Sequence, residues 1–234
     1  MNAVSLPFYG SDYGKPPMKF TLLYDGPLPA GSKKRAEYAA KIRNYLHPQL
    51  QDLWDNHVLL RQLAHEARVN KHSYADLTTT ARPPTLSEYR DPPPPLKNDQ
   101  IDLTTPFPVG GSVYQFKPIV RRNLHLACAI DILFLRHEEP GKLFEQCGDI
   151  DNRLKCFFDG LTVPKIEQLE GGEDPCANPF CCLVEDDVLI SDFSVRSGRL
   201  LGKDERHQFD VRIQADITIK VLRVFSANMG LIGG

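Results

Sequence analysis

The chain is short of several things, and each shortage closes off a class of function. No apolar run in its 234 residues approaches the ~20 that a membrane-crossing helix needs. The first residues, MNAVSLPFYGSDYGK, lack the basic-then-apolar pattern of a secretory signal, so a cytoplasmic location and no membrane partner are expected. There is no Gly-x-x-x-x-Gly-Lys loop to cradle phosphates and no dinucleotide-binding glycine pattern after a strand. A Gly-x-Ser-x-Gly nucleophile elbow is absent as well. Nor is there a surplus of either charge: 28 Lys and Arg stand against 30 Asp and Glu, a formal net charge of −2. Phosphate binding asks for a local positive surface, which this balance neither suggests nor excludes.

Cysteine is present but poorly arranged for metal. The six are Cys128, Cys147, Cys156, Cys176, Cys181 and Cys182. In a reducing compartment they are expected as thiols. Cys176, Cys181 and Cys182, with Cys147, could make a zinc site, but no Cys-x₂-Cys knuckle occurs and adjacent cysteines rarely serve one ion. Plain buried or free thiols are the preferred reading. His47, His57, His65 and His72 show no ligand spacing with the cysteines and read as core or surface residues.

What is there is ordinary in bulk, 41% hydrophobic and 25% charged, enough for one sizeable domain or a domain with a helical appendage. Residues 1–17 read as a loose arm. Lys19–Tyr24 reads as a strand ended by the turn residues Asp25-Gly26-Pro27. Ser32 is expected to cap a helix bearing Tyr38, Ile42, Tyr45 and Leu46, which Pro48 stops or kinks. A second helix follows with Leu50, Leu53, Trp54, Val58, Leu60, Leu63 and Ala67 at helical spacing, so residues 18–77 form a strand and a helical hairpin. Trp54 could stack on a base, but it fits a core stripe equally well. Residues 78–111, rich in Pro and Thr, read as a linker or covering loop.

The sheet is concentrated in residues 112–225. Ser112–Val120 reads as a strand, Arg121-Arg122-Asn123 as a hairpin turn, and Leu124 to Phe134 as a central strand apolar on both faces. Val188–Arg199 is another strand. Phe209 to Val221 alternates strictly, leaving Asp210 and Asp216 on a polar face with no catalytic role. The basic clusters Lys33-Lys34-Arg35, Arg121-Arg122 and Arg196 to Arg206 read, singly, as solvated faces. Residues 226–234 read as a flexible tail. The expected class is α/β (α+β), with a mainly antiparallel or mixed sheet.

One stretch stands apart, Gly148 to Leu161, GDIDNRLKCFFDGL, answered later by Glu185-Asp186-Asp187. Asp151 is a good N-cap for a helix over 152–161. Leu154, Phe157, Phe158 and Leu161 then form its apolar stripe, and Asp151, Lys155 and Asp159 line one flank. Gly160 fits a helix stop. Crowded carboxylates raise one another's pKa and call for a cation, which could be Lys155, Arg153 or a metal. Hard oxygen ligands with open water positions are what Mg²⁺ takes in phosphate-cleaving sites. The plainer alternative is an N-cap and surface i,i+4 Asp–Lys pairs.

The run Asp149-Ile-Asp151-Asn152-x-x-Lys155-x-x-x-Asp159-x-Leu161, followed by Glu185-Asp186-Asp187-x-x-Ile190, resembles the RusA-like Holliday junction resolvases. The resemblance covers about residues 110–224, and weakly the first strand with Gly26-Pro27. It implies a small α/β unit that forms a homodimer and nicks four-way branched double-stranded DNA with Mg²⁺, Mn²⁺ being an alternative. On it, Asp149, Asp151 and one or both of Asp186 and Asp187 correspond to metal ligands and Lys155 to the essential lysine. In the nuclease reading all four acids would hold the ion, Asn152 would orient a carboxylate or water, and Asp159 would partner Lys155. Two features depart from the pattern: the intervening stretch 163–183 and the long segment 32–111. They keep open a catalytically inactive junction-binding or protein-interaction module, and a nuclease for another branched substrate.

Overall fold

The computed structural model describes residues 17–28, 34–69, 103–109, 112–137, 150–165, 177–201, 210–224, 228 and 231. The expected arm, the Ser32 cap, most of the Pro-rich stretch, Asp149, Cys147, Cys176, the side chain of His65, His72 and most of the tail lie outside these residues.

The element order is β1 (Lys19–Pro27), α1 (Arg35–Asn56), α2 (Val58–Val69), β2 (Thr105–Val109), β3 (Ser112–Val120), β4 (Leu126–Arg136), α3 (Ile150–Leu161), β5 (Phe180–Val184), a single 3₁₀ turn (Asp187–Leu189), β6 (Ile190–Arg199) and β7 (Asp210–Val221). They make an α+β fold with two mixed sheets. One is four-stranded, β1-β7-β4-β6; the other is three-stranded, β2-β3-β5. β1 and β4 pair antiparallel with β7, while β6 runs parallel to β4. No helix among the described residues is long and apolar enough to cross a membrane.

Period-two alternation decides which side of the large sheet is wet. The row Tyr24–Ile213–Phe134 and the row Leu22–Ala215–Ile132 are buried against the helices. The other face carries Thr21, whose hydroxyl donates to Asp216 at 2.6 Å, and Ser194, whose hydroxyl donates to Asp131 at 2.6 Å. Asp216 thus sits on the polar face, as the alternation predicts. β4, flanked on both sides, is the central strand, apolar through most of its length.

α1 departs from expectation. It runs unbroken through Pro48 and ends only at Asn56, where His57 turns extended. Proline removes one helical N–H, but Pro48 is exposed, where water can serve the carbonyl it leaves unpaired. Meanwhile Ile42, Leu46, Leu50 and Trp54 continue one buried stripe across it. Trp54 belongs to that stripe, with Lys117 Nζ 4.1 Å from its ring centroid. The Gln49 side chain accepts from the Leu23 N–H at 3.0 Å and donates to the Leu23 carbonyl at 2.7 Å, which satisfies the edge of β1 at that point. α1 packs most extensively on α3, so the N-terminal strand and helices are part of the core rather than an appendage.

Two further expectations change. The turn after β3 does not make a hairpin: it passes the chain from the small sheet to the large one, with His125 at φ 49°. The end of the Pro-rich stretch is a strand, β2, whose Pro106 and Pro108 are tolerated because it is an edge. Within the stretch that separates the two acidic segments, Phe180–Val184 is a strand buried along its whole length.

Candidate functional site

α3 begins at or before Ile150, so Asp151 stands in its first turn and not at its N-cap. The stripe forms as the spacing requires: Leu154, Phe157 and Leu161 are buried and Phe158 half-buried. Gly160 is not a stop. It lies inside the helix where a Cβ would meet Ile42 Cγ2 at 2.5 Å, so the residue is small to let α1 approach. Arg43 of α1, itself buried, donates to the carbonyls of Asp159 (2.8 Å) and Thr162 (3.0 Å), satisfying the C-terminal end of α3.

The same end of α3 is tied to β5. Val163 N–H donates to the Val184 carbonyl at 3.0 Å, and Thr162 bridges Val184. This tie brings the two acidic segments to one side of the molecule, although they are far apart in the chain.

Parallel pairing of β3 with β5 places Val120 beside Val184, so the residues that follow each strand are also neighbours. Glu185 therefore accepts from the Arg122 N–H at 3.0 Å and lies 3.4 Å from the Arg121 guanidinium. Asp186 caps the 3₁₀ turn, accepting from Val188 N–H at 3.2 Å and from Arg122 at 3.0 Å. Partial burial works to raise the Asp186 pKa, but the Val188 N–H, Asp187 and Arg122 outweigh it and hold the carboxyl low. Asp187 is raised, first by its hydrogen bond to Asp186 and then by burial and the neighbouring charge. Two carboxylates pressed together in this way have the hard donor chemistry of a divalent-cation site. Among the described residues no three Asp, Glu, His or Cys side chains gather closely enough to hold a metal, and Asp149 is not among those residues.

An open groove of about 340 Å³ joins the segments. α3 contributes Lys155, Phe158 and Asp159; the 3₁₀ turn and β6 contribute Asp187, Val188, Ile190 and Phe193; α1 contributes Arg35. Lys155 and Asp187, expected in one site, thus share it. Asp151 does not line the groove but is ion-paired to Lys155, and Asn152 is exposed on the same turn. Asp159, expected beside Lys155, instead accepts from Arg35 Nε at 2.5 Å. Arg153 is buried rather than placed on the surface of the helix. Arg35 and Arg122 are the site residues that sequence reasoning missed. Each sat in a basic cluster read as solvated, and only the packing of α1 and the β3–β5 pairing bring them in.

The cysteines separate cleanly. Cys181 faces the main core and Cys182 the smaller cluster with Phe116, Val163 and Phe180, because successive residues of a strand point to opposite faces. These two cannot ligate one ion. Burial pushes the Cys181 thiol up to about 11 and that of Cys182 up to about 12. His47 is a core residue: its Nδ1 accepts from Cys181 N–H at 3.0 Å and its ring stacks on Phe180.

No family model matches this chain, and neither a curated protein nor a solved structure does.

Proposed function

We propose that the chain is a Mg²⁺-dependent structure-specific endodeoxyribonuclease that nicks four-way or otherwise branched DNA as a homodimer. The observation that carries the reading is the common groove lined by Lys155 and Asp187, two residues of separate acidic segments. The resemblance of those segments to the RusA-like resolvases supports it. Asp149, Asp151, Asp186 and Asp187 would hold the ion, which when bound polarises a phosphate and lowers the pKa of an attacking water. Lys155, half-exposed on the groove wall, offsets charge on the phosphate or the leaving oxygen. Arg122 keeps Asp186 ionised and oriented. Asn152, exposed in the first turn of α3, would orient a carboxylate or water. A two-fold dimer would present matched sites to a symmetric junction.

A second reading is a non-catalytic junction-binding or protein-interaction module. The pairings Asp151–Lys155 and Asp186–Arg122 favour it, because both neutralise acids without metal. One experiment separates the two: nicking of a labelled four-way junction beside a linear duplex, with Mg²⁺ or EDTA, for the wild type, Asp151→Asn and Asp187→Asn. Junction nicking that requires Mg²⁺ and both carboxylates is expected. Tight junction binding with no cleavage would leave the binding module.

A further inference from the structure

The groove has an apolar wall that metal chemistry does not need. Phe193 ends a row that crosses the large sheet from Phe20 through Ile217 and Ile130, on the face turned toward the helices. Ile217 is 1% exposed and Ile130 0%, yet Phe193 is 56% exposed. Its ring meets Phe158 of α3 edge-on, with centroids 5.1 Å apart, and no other described ring packs on it. Arg35 stands in the same groove and uses Nε for Asp159, leaving its terminal amino groups without a hydrogen bond among the described residues. A flat apolar surface flanked by Arg35 and Lys155 suits an occupant that carries both a π-face and a negative charge, which an apolar peptide segment does not.

We propose that Phe193 and Phe158, with Arg35, form a subsite for a nucleotide whose base has left its stack: the base lies against Phe193 and the adjoining phosphate takes the Arg35 fork. This inference rests on the reading of the groove as a nucleic-acid site. It names the preferred substrate as DNA with an unpaired or unstacked nucleotide beside the cleaved bond, because an intact duplex keeps its bases out of reach.

The test is binding in EDTA to a duplex with a bulged 2-aminopurine, beside the fully paired duplex, by anisotropy and by 2-aminopurine fluorescence. The wild type is expected to bind the bulge more tightly and to quench the probe. Phe193→Leu should weaken bulge binding by about ten-fold and abolish quenching, with paired-duplex affinity unchanged. Phe193→Trp should retain both, and Arg35→Gln should weaken bulge binding and flatten its salt dependence. An unquenched probe in the wild type, or equal loss on both duplexes in Phe193→Leu, would overturn the subsite. Because no cleavage is measured, a protein that nicks junctions but ignores Phe193→Leu defeats this proposal alone. One that grips the bulge through Phe193 and never nicks defeats only the nuclease reading. Absence of any DNA binding would defeat both.

Discussion

Arg43 of α1 donates from Nη2 to the Asp159 carbonyl oxygen at 2.8 Å and from Nε to that of Thr162 at 3.0 Å. A buried guanidinium thus serves the orphan carbonyls at the end of the helix that bears Lys155, and α1 becomes the support of the site. Burial depresses the pKa of Arg43, the cost of desolvating its charge, and the two carbonyls offset part of that cost.

Arg43→Met should therefore destabilise the protein by about 2–4 kcal/mol in chemical denaturation, since both carbonyls lose a charged donor. Arg43→Lys should recover only part, because an ammonium cannot reproduce the two-pronged geometry. Unchanged stability in Arg43→Met would mean that water serves α3 equally well.

Gly160→Ala should be destabilising despite the better helix propensity of alanine, which is worth about 1 kcal/mol. The new methyl would stand 2.5 Å from Ile42 Cγ2 and 3.3 Å from the Ala39 carbonyl oxygen. A net loss of about 1–3 kcal/mol is expected from overpacking. Ile42→Val in the same chain should restore part of it, a coupling that a double-mutant cycle reads directly.

Lys155→Met should lower junction nicking by about 10²–10³-fold, in line with loss of one electrostatic group at a transition state. Its pair with Asp151 is half-exposed, so the variant should lose no more than about 1 kcal/mol of stability. A melting temperature that falls in step with the activity would instead make Lys155 a structural residue.

His47 should make the protein acid-sensitive. Burial lowers its pKa below the ordinary 6.5, and Nδ1 can accept from the Cys181 N–H only while it carries no proton. The folded state therefore holds the ring neutral while the unfolded chain takes up a proton first. Stability is full above pH 6.5 and declines as pH falls from there toward the folded-state value. His125, lowered by burial and by Arg223, adds the same sign. Denaturation midpoints measured from pH 7 to 5 should fall, and His47→Asn, which keeps an acceptor, should flatten the slope. An unaltered slope in that variant would remove His47 as the cause.

Cys128, Cys156, Cys181 and Cys182 should resist alkylation in the native protein, since burial pushes their thiols up to about 12, 11, 11 and 12. Peptide mapping after maleimide treatment should find all four labelled only in denaturant. Native labelling of Cys181 or Cys182 would show that β5 opens on that timescale.

Local chemistry made much of this legible in the residues. Strict alternation announced β7, a doubly apolar run announced the central strand β4, and the i, i+3, i+4, i+7 stripe announced α3, because each depends only on which side chains face water. Lys155 and Asp187 were singled out by type and spacing together with the resemblance of their segments, and they do line one groove. What the letters could not carry was decided by contacts between distant segments. Pro48 stays helical because its ring faces solvent while the stripe beneath it stays buried. Gly160 is a packing glycine because Ile42 arrives against it, and Asp159 turns from Lys155 to Arg35 because α1 crosses there. Arg122 reaches Asp186 because β3 and β5 run parallel and end together. The residues alone marked β1, β3, β4, β6, β7, α3 and the acidic segments; β2, β5, the unbroken α1 and the partners of each charge followed from tertiary packing, which sets the distances on which Coulomb and hydrogen-bond energies depend.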